Sequence, residues 1–551
     1  MAQINYRANL RDSDFPLVSQ FQGRSVIQPS LDNFYVGESA TSTTVNDRDK
    51  GVPEVYYMHN VIPVIGGYKS VQYKAVVAAV IPSIALPVTI RQVFQVKDFS
   101  GNKGLVVTTE EGETYIVSGS NKTWTNITPI GQPSGAIASV ANVTGSSFIC
   151  YANFGIFQVN LTSNTLSSAA LIWTGTSPLV TNASILGISA SNNYLLAYTS
   201  DTLYWSSSLN VLDMSPSQIT GAGSGTPAGA SGNIITVSPV GIGFAVYCQG
   251  NIIVASYSGN TQYPWLFKEA PNGSGIASAL SVASSGEDNS NYAWTSAGIM
   301  KVTLGGCAPV YPEVSDFLAG KIFEDYNSTT DTIDFTYLVT PLKVRLAFCA
   351  SRYLVISYGV NSYTHALIYD ISMKRMGKLK LSHAQVIDID FDADSSNFGS
   401  YYDMGTASYE SYGEVTYNTI VGNPNVAPAA KHSIVLVQLD GTIQLMQGDY
   451  GLFAADAVLL LGKYQLSRAN LTTMQGLAVD MIDATNTNFS LELLTSYDGK
   501  TYGSKITPYV NIYPEFRSYQ CVATGVNHSI LIKGSFHITS LVLTFTVNGN
   551  R

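Results

Sequence analysis

Residues Gly243–Tyr257 read GFAVYCQGNIIVASY: an apolar run, a tight polar turn and a second apolar run. Both runs are rich in β-branched and aromatic residues, and a Gly-Asn turn between such runs marks a β-hairpin. The phrase recurs at Gly104–Ser118 (GLVVTTEEGETYIVS), Ser147–Leu161 (SFICYANFGIFQVNL) and Tyr194–Trp205 (YLLAYTSDTLYW). It recurs again at Tyr292–Leu304 (YAWTSAGIMKVTL) and Ser433–Leu445 (SIVLVQLDGTIQL). The copies start about 40 to 50 residues apart at first and further apart later, close to the period of four-stranded propeller blades. The expected fold class is therefore all-β: a β-propeller-like core with a C-terminal antiparallel β-sandwich or platform domain. Such a chain is a rigid ring or platform, so its function is expected to lie in shape and assembly.

Working outward, residues 1–92 are irregular, with strand-like pieces at Val52–Tyr57 and Val61–Val64, and read as an N-terminal extended arm or platform segment. Residues 93–455 hold the hairpins and the propeller-like core with loop insertions. Its clearest connector, Thr220–Gly232 (TGAGSGTPAGASG), reads as an exposed flexible loop. Only Pro312–Asp325 has room for a short helix. Residues 456–551 change character, with strand-like runs at Ala457–Leu461, Gly476–Met481, Phe489–Thr495, Ser529–Lys533 and His537–Val547; they read as the closing β-sandwich domain.

Charged residues are 12% of the chain, about half the usual share of ~25%. With 34 Tyr and many Ser, Thr and Asn, such surfaces suit large assemblies, or else secreted β-proteins. The net charge of −9 argues against a general nucleic-acid binder, though not against a negative wall that nucleic acid slides past. Cys150, Cys248, Cys307, Cys349 and Cys521 are odd in number, far apart and without a CxxC pair. They read as free buried thiols in a protein made in a reducing cytoplasm. The start, MAQINYRANLRDSDF, has no apolar signal region. The most apolar stretch, Ala75–Val88, is broken by Pro82 and Pro87, so no membrane-spanning segment is expected.

The motifs that carry chemistry are sparse. The six histidines form no metal-binding spacing, and His365, at the start of a strand-like run, reads as structural. No nucleophile elbow or phosphate loop is present. Asp388, Asp390, Asp392 and Asp394 alternate, so a strand would put four carboxylates on one face, where they repel. A calcium loop wants Gly sixth and Glu twelfth, and those places hold Ala393 and Gly399. With Asp403, Glu410 and Glu414 the run reads as a solvated loop presenting negative charge. Lys374, Arg375, Lys378 and Lys380 are its basic counterpart, read as a turn between two strands, with nucleic-acid contact as the rival. Ser496–Tyr502 (SYDGKTY) is like the Asp-box turn of sialidase-type propellers, a hairpin device rather than a catalytic one. The pair of carboxylates in a cleft that a glycosidase needs is not marked. No catalytic residue, cofactor or metal is expected.

Several stretches together resemble the tail nozzle (tail hub) proteins of short-tailed bacteriophages. They are Phe15–Ser39 (FPLVSQFQGRSVIQPSLDNFYVGES), Tyr257–Glu269 (YSGNTQYPWLFKE), Tyr363–Lys380 (YTHALIYDISMKRMGKLK), Leu493–Gly503 and Gly534–Asn550. The resemblance covers most of the chain as scattered phrases. It implies a propeller-like core, a platform domain and a hexameric ring beneath the portal and its adaptor protein. It implies tail fibres or spikes as docking partners, and genomic DNA passing through an acidic lumen without sequence-specific binding. The expected place is the virion tail, assembled in the host cytoplasm, and the expected role is structural and non-enzymatic. The acidic residues Asp388–Glu414 are the candidate channel-facing loop. The alternative is a glycan-binding or glycoside-cleaving propeller, such as a receptor-reading tail component.

Overall fold

The computed structural model describes residues 19–21, 24–27, 55–64, 67–75, 89–98, 102–118, 124–174, 184–285, 289–310, 318, 322–327, 332–337, 342–373, 375–389, 433–439, 443–445, 452–453, 457–464, 470–481, 488–497, 509–512 and 516–550. Among them the regular structure is strand, apart from isolated turns and one 3-10 turn at Ala279–Ser281.

Five consecutive stretches fold into separate four-stranded antiparallel sheets, each in simple meander order. Blade 1 is Ile90–Lys97, Lys103–Thr109, Thr114–Ser118 and Thr125–Asn126. Blade 2 is Ala138–Val143, Ser146–Tyr151, Gly155–Asn160 and Thr165–Ser168. Blade 3 is Gly187–Ser191, Tyr194–Tyr198, Leu203–Trp205 and Gly223–Gly225. Blade 4 is Ile234–Val240, Gly243–Cys248, Ile252–Tyr257 and Trp265–Glu269. Blade 5 is Val282–Ser285, Ser290–Thr295, Gly298–Thr303 and Gly306–Pro309. Blade 6, Lys343–Cys349, Tyr353–Gly359, Tyr363–Asp370 and Arg375–His383, continues into a larger sheet. Blade 7 joins Gln385–Ile389, Ser433–Val437 and Ile443–Leu445 to Gln72–Ala75 and Leu452–Phe453.

The first strand of each blade touches the first strand of the next, and that of blade 7 returns to blade 1. The ring is a closed seven-bladed propeller. The opening hairpin shows why. On Gly243–Cys248, Phe244, Val246 and Cys248 pack toward blade 3, while Ala245 and Tyr247 pack toward blade 5. A strand alternates its side chains between two faces, and here both faces are covered, so the run is apolar throughout. Every seam between blades is filled this way by an apolar cluster. The six quoted hairpins are the middle two strands of six blades. The tryptophans fall one to each of the first five blade units: Trp124, Trp173, Trp205, Trp265 and Trp294 all pack against seam clusters.

Two expectations change. Part of Thr220–Gly232 is not loop: Gly223–Gly225 pairs with Leu203–Trp205 as the outer strand of blade 3. A Cβ on Gly223 would lie 3.2 Å from the Trp205 ring, so the glycines that suggested a linker instead make room for an indole. Of Pro312–Asp325, where a short helix is expected, Leu318 is helical and Ile322–Asn327 is instead a strand that pairs with Thr332–Tyr337; residues 312–317 and 319–321 lie outside the described residues.

The remaining strands form two sheets beside blades 5 and 6. One is Val55–His59, Val458–Tyr464, Asn527–Ser535 and Asn488–Ser496. The other runs Val61–Val64, Gly67–Ser70, His537–Asn550, Asn470–Met481, Phe516–Gly525 and Tyr509–Ile512, and joins blade 6 where Lys378 pairs with Val61. Leu459, Ile530 and Leu491 from the first sheet and Met474, Leu477 and Tyr519 from the second share one apolar cluster with Leu346, Leu354 and Ile356 of blade 6. The segment read as an arm is thus distributed among sheets. Arg24–Ile27 pairs with His537–Asn550, Val55–His59 with Val458–Tyr464, and Gln72–Ala75 with Ile443–Leu445.

Candidate functional site

The acidic run leaves the ring at blade 7. Asp388 lies on the blade's first strand, where it pairs with Ile434, and the strand ends at Ile389 opposite Ser433. Residues 390–432 connect these two strands, so Asp390, Asp392, Asp394, Asp403, Glu410 and Glu414 lie outside the described residues. Asp388 is half-buried, and its Oδ1 accepts the Ala350 N–H at 3.0 Å. Ala350 and Ser351 follow the first strand of blade 6, and both have φ of +53°, in the left-handed region. Neither is Gly or Asn, so each costs about 1–2 kcal/mol there. Asp388 therefore ties a strained turn of blade 6 to blade 7.

The basic counterpart is largely interior. Arg375 and Lys378 are buried, and Lys378 Nζ sits 5.0 Å above the Tyr57 ring. Buried cations cannot reach a phosphate backbone, so these two are struts within the chain rather than a nucleic-acid patch. In the Ser496–Tyr502 motif, Ser496 is buried and Tyr497 exposed, and residues 498–502 lie outside the described residues.

Two hydroxyl–imidazole pairs look at first like activated nucleophiles. Ser357 Oγ lies 2.8 Å from His383 Nε2, and His383 Nδ1 donates to the Leu381 carbonyl at 2.7 Å. Thr472 Oγ1 lies 2.8 Å from His528 Nε2 and donates to the Gly525 carbonyl at 3.2 Å. All four side chains are buried, so neither pair is open to a substrate. Burial pushes both imidazoles down to about 4 and keeps them neutral. His365 is likewise buried, with Nδ1 against Thr364 Oγ1 at 2.9 Å and its ring stacked on Tyr358. All five cysteines are buried free thiols. Burial pushes Cys150 up to about 12 and Cys248, Cys307 and Cys521 to about 11, so none is a nucleophile at neutral pH. Among the described residues no group of three His, Cys, Asp or Glu is placed to hold a metal ion.

A feature with no local signature in the sequence lies where blades 6, 7 and 1 meet. Gln385, at the start of blade 7, accepts the Val93 N–H with Oε1 at 2.7 Å and donates Nε2 to the Val93 carbonyl at 3.1 Å. Gln92 on blade 1 does the same to Ala138 of blade 2, at 2.8 and 3.1 Å. Beside this clasp, Arg345 of blade 6 donates Nη1 to the Arg91 carbonyl of blade 1 at 3.2 Å. Arg91 is paired with Glu110. Tyr363 stacks on His383 with centroids 6.0 Å apart.

The geometry defines a class: an all-β chain with a seven-bladed ring and an attached pair of sheets. No protein-family model matches the chain, and no curated protein sequence matches it. It is similar to the extracellular domain of a one-component system from B. thetaiotaomicron, at 10% identity and TM-score 0.37 over 77% of this chain and 43% of that one. The present chain thus spans less than half of that protein. It is also similar to YCF48 from Cyanidioschyzon merolae (12% identity, 68% of this chain, 98% of that one, TM-score 0.34). A third likeness is to the WD40 β-propeller domain of Doa1 (9% identity, 67% and 95%, TM-score 0.34). Likeness at this level assigns neither a family nor an activity. Among the described residues no helix is long and apolar enough to cross a membrane.

Proposed function

We propose that this chain is a structural virion protein, the tail nozzle subunit of a short-tailed bacteriophage. Six copies form a ring that extends the DNA ejection channel below the portal and adaptor and gates genome release. Fibres or spikes dock on its outside, and the protein has no catalytic activity of its own. The observation that supports this reading best is a set of large apolar side chains exposed, among the described residues, on the propeller. Ile130, Leu209, Ile219, Ile242, Tyr263 and Leu266, in the units of blades 1, 3 and 4, are exposed. Segments 127–137, 214–233 and 258–266 contain no charged residue. Uncharged segments with projecting apolar side chains suit burial against other proteins and offer nothing to a phosphate backbone. The phrases that resemble tail nozzle proteins favour this kind of assembly.

In this reading the run from Asp388 to Glu414 faces the DNA path. DNA carries one negative charge per ~1.7 Å, and a carboxylate wall repels it over a Debye length of ~8 Å, which centres the duplex. The test replaces Asp390, Asp392 and Asp394 with Lys and times DNA ejection from assembled virions. Slowed ejection from particles of normal composition is the expected result. Ejection at the wild-type rate removes these residues from the channel wall. Turnover of host polysaccharide by the purified protein replaces the structural reading with the glycosidase one.

A further inference from the structure

We propose that the place where blades 6, 7 and 1 meet is a binding site for a small oxyanion of the phosphate class, held by Arg345 with Arg91 beside it. Arg345 is 6% exposed, and its one hydrogen bond to the chain is to the neutral carbonyl of Arg91. Among the described residues no carboxylate pairs with it. The nearest other cation is Arg91 itself, whose Nε is buried without a hydrogen-bond partner. A buried charge is normally paired, because taking an ion out of water costs several kcal/mol. A guanidinium also carries five N–H donors in a planar fork that matches an oxyanion, and Arg345 uses one of them here.

The groups around Arg345 are neutral or cationic apart from Glu110. The charge of Arg345 reaches His383 and, after burial itself, helps hold it neutral. The Tyr363 phenol, kept protonated by burial, adds a neutral donor. Burial, and to a lesser degree the neighbouring Arg91 charge, push Arg345 down to about 10. The carboxylate in reach is that of Glu110, which is half-exposed and already bound to Arg91. In a chain of net charge −9, Arg345 is a buried cation with no carboxylate partner among the described residues. The site stands whether or not the protein is a nozzle subunit.

The experiment is thermal unfolding of the full chain in inorganic phosphate, acetate and chloride at matched ionic strength. A ligand of the native state at 100 times its Kd raises the folded-to-unfolded ratio about 100-fold. A saturable rise in Tm with phosphate, absent with chloride, is expected. A rise with acetate equal to that with phosphate assigns the site to a carboxylate, such as a partner's Asp or Glu. Arg345→Met removes the uncompensated charge while keeping volume, so in chloride it should be as stable as the native chain or more so, and it should not respond to phosphate. No phosphate effect beyond chloride in the native chain overturns the proposal, and so does a phosphate effect that survives in Arg345→Met. The first arm decides even if the variant does not fold.

Discussion

Gln385 and Val93 close the propeller: the side-chain amide of the one bonds both backbone groups of the other, at 2.7 and 3.1 Å, across the seam between the last blade and the first. The glutamine imitates one more strand residue, so the inner strands of blades 7 and 1 are joined as if by a ladder rung. Gln92 repeats the device one blade on.

Replacing Gln385 with Ala leaves the Val93 N–H and C=O buried without partners. Each such group costs about 1–3 kcal/mol. Urea unfolding should show a lower midpoint at unchanged m-value. Gln92→Ala should cost a similar amount, and the double variant should not be additive, because Gln92 and Val93 are neighbours. An unchanged midpoint in Gln385→Ala contradicts the clasp.

Asp388 has a structural role separable from its charge. Asp388→Asn keeps an acceptor for the Ala350 N–H and should be close to neutral, whereas Asp388→Ala should cost about 1 kcal/mol or more. Ala350→Gly relieves a left-handed alanine and should offset part of that loss. Equal destabilisation by Asn and Ala would show that charge, not the turn, is what Asp388 serves.

Acid should weaken the fold through His383 and His528. Both sit near 4 when folded, against 6.5 for an unperturbed imidazole. Between these values the unfolded chain takes up protons that the folded chain refuses. Their contribution is therefore complete above pH 6.5 and is lost as pH falls toward 4, about 3 kcal/mol for each at most. Unfolding midpoints at pH 7, 5.5 and 4.5 check this, and the His528→Gln variant should show a shallower slope. A slope that is flat over this range contradicts the buried neutral histidines.

Removing residues 1–75 should abolish cooperative folding rather than trim an arm. Gln72–Ala75 is a strand of blade 7, and Val55–His59 is an edge of the sheet that contains Val458–Tyr464. Circular dichroism and soluble yield of the truncated chain measure it. A folded truncated protein with a sharp melt would mean that these strands are dispensable.

The middle strands of the blades are legible because both their faces are buried, which writes two apolar runs around a turn into stretches of about 12 to 15 residues. Their partners are not. First strands such as Ala138–Val143 (ASVANV) and Val282–Ser285 (VASS) are small and partly polar where they border the axis, and carry little period. The fourth strand of blade 7 comes from residues 72–75, which no local pattern links to Gln444 and Leu445. Blade 6 lies outside the six hairpin phrases, although the strand-like run around His365 belongs to its strand Tyr363–Asp370. Of the site residues, Asp388 stood out within its carboxylate run, but its bond to Ala350 depends on two blades meeting. Arg91 and Arg345 lie in separate strands of ordinary composition, and only ring closure brings them together.

The central claim is an assembly, and a reconstruction of the virion tail at a resolution that traces strands tests it directly. Six copies of the seven-bladed ring around an axial opening, with the end of blade 7 at Asp388 turned to the axis, are what the account predicts. A trimer, or a peripheral fibre occupying this density, would contradict it.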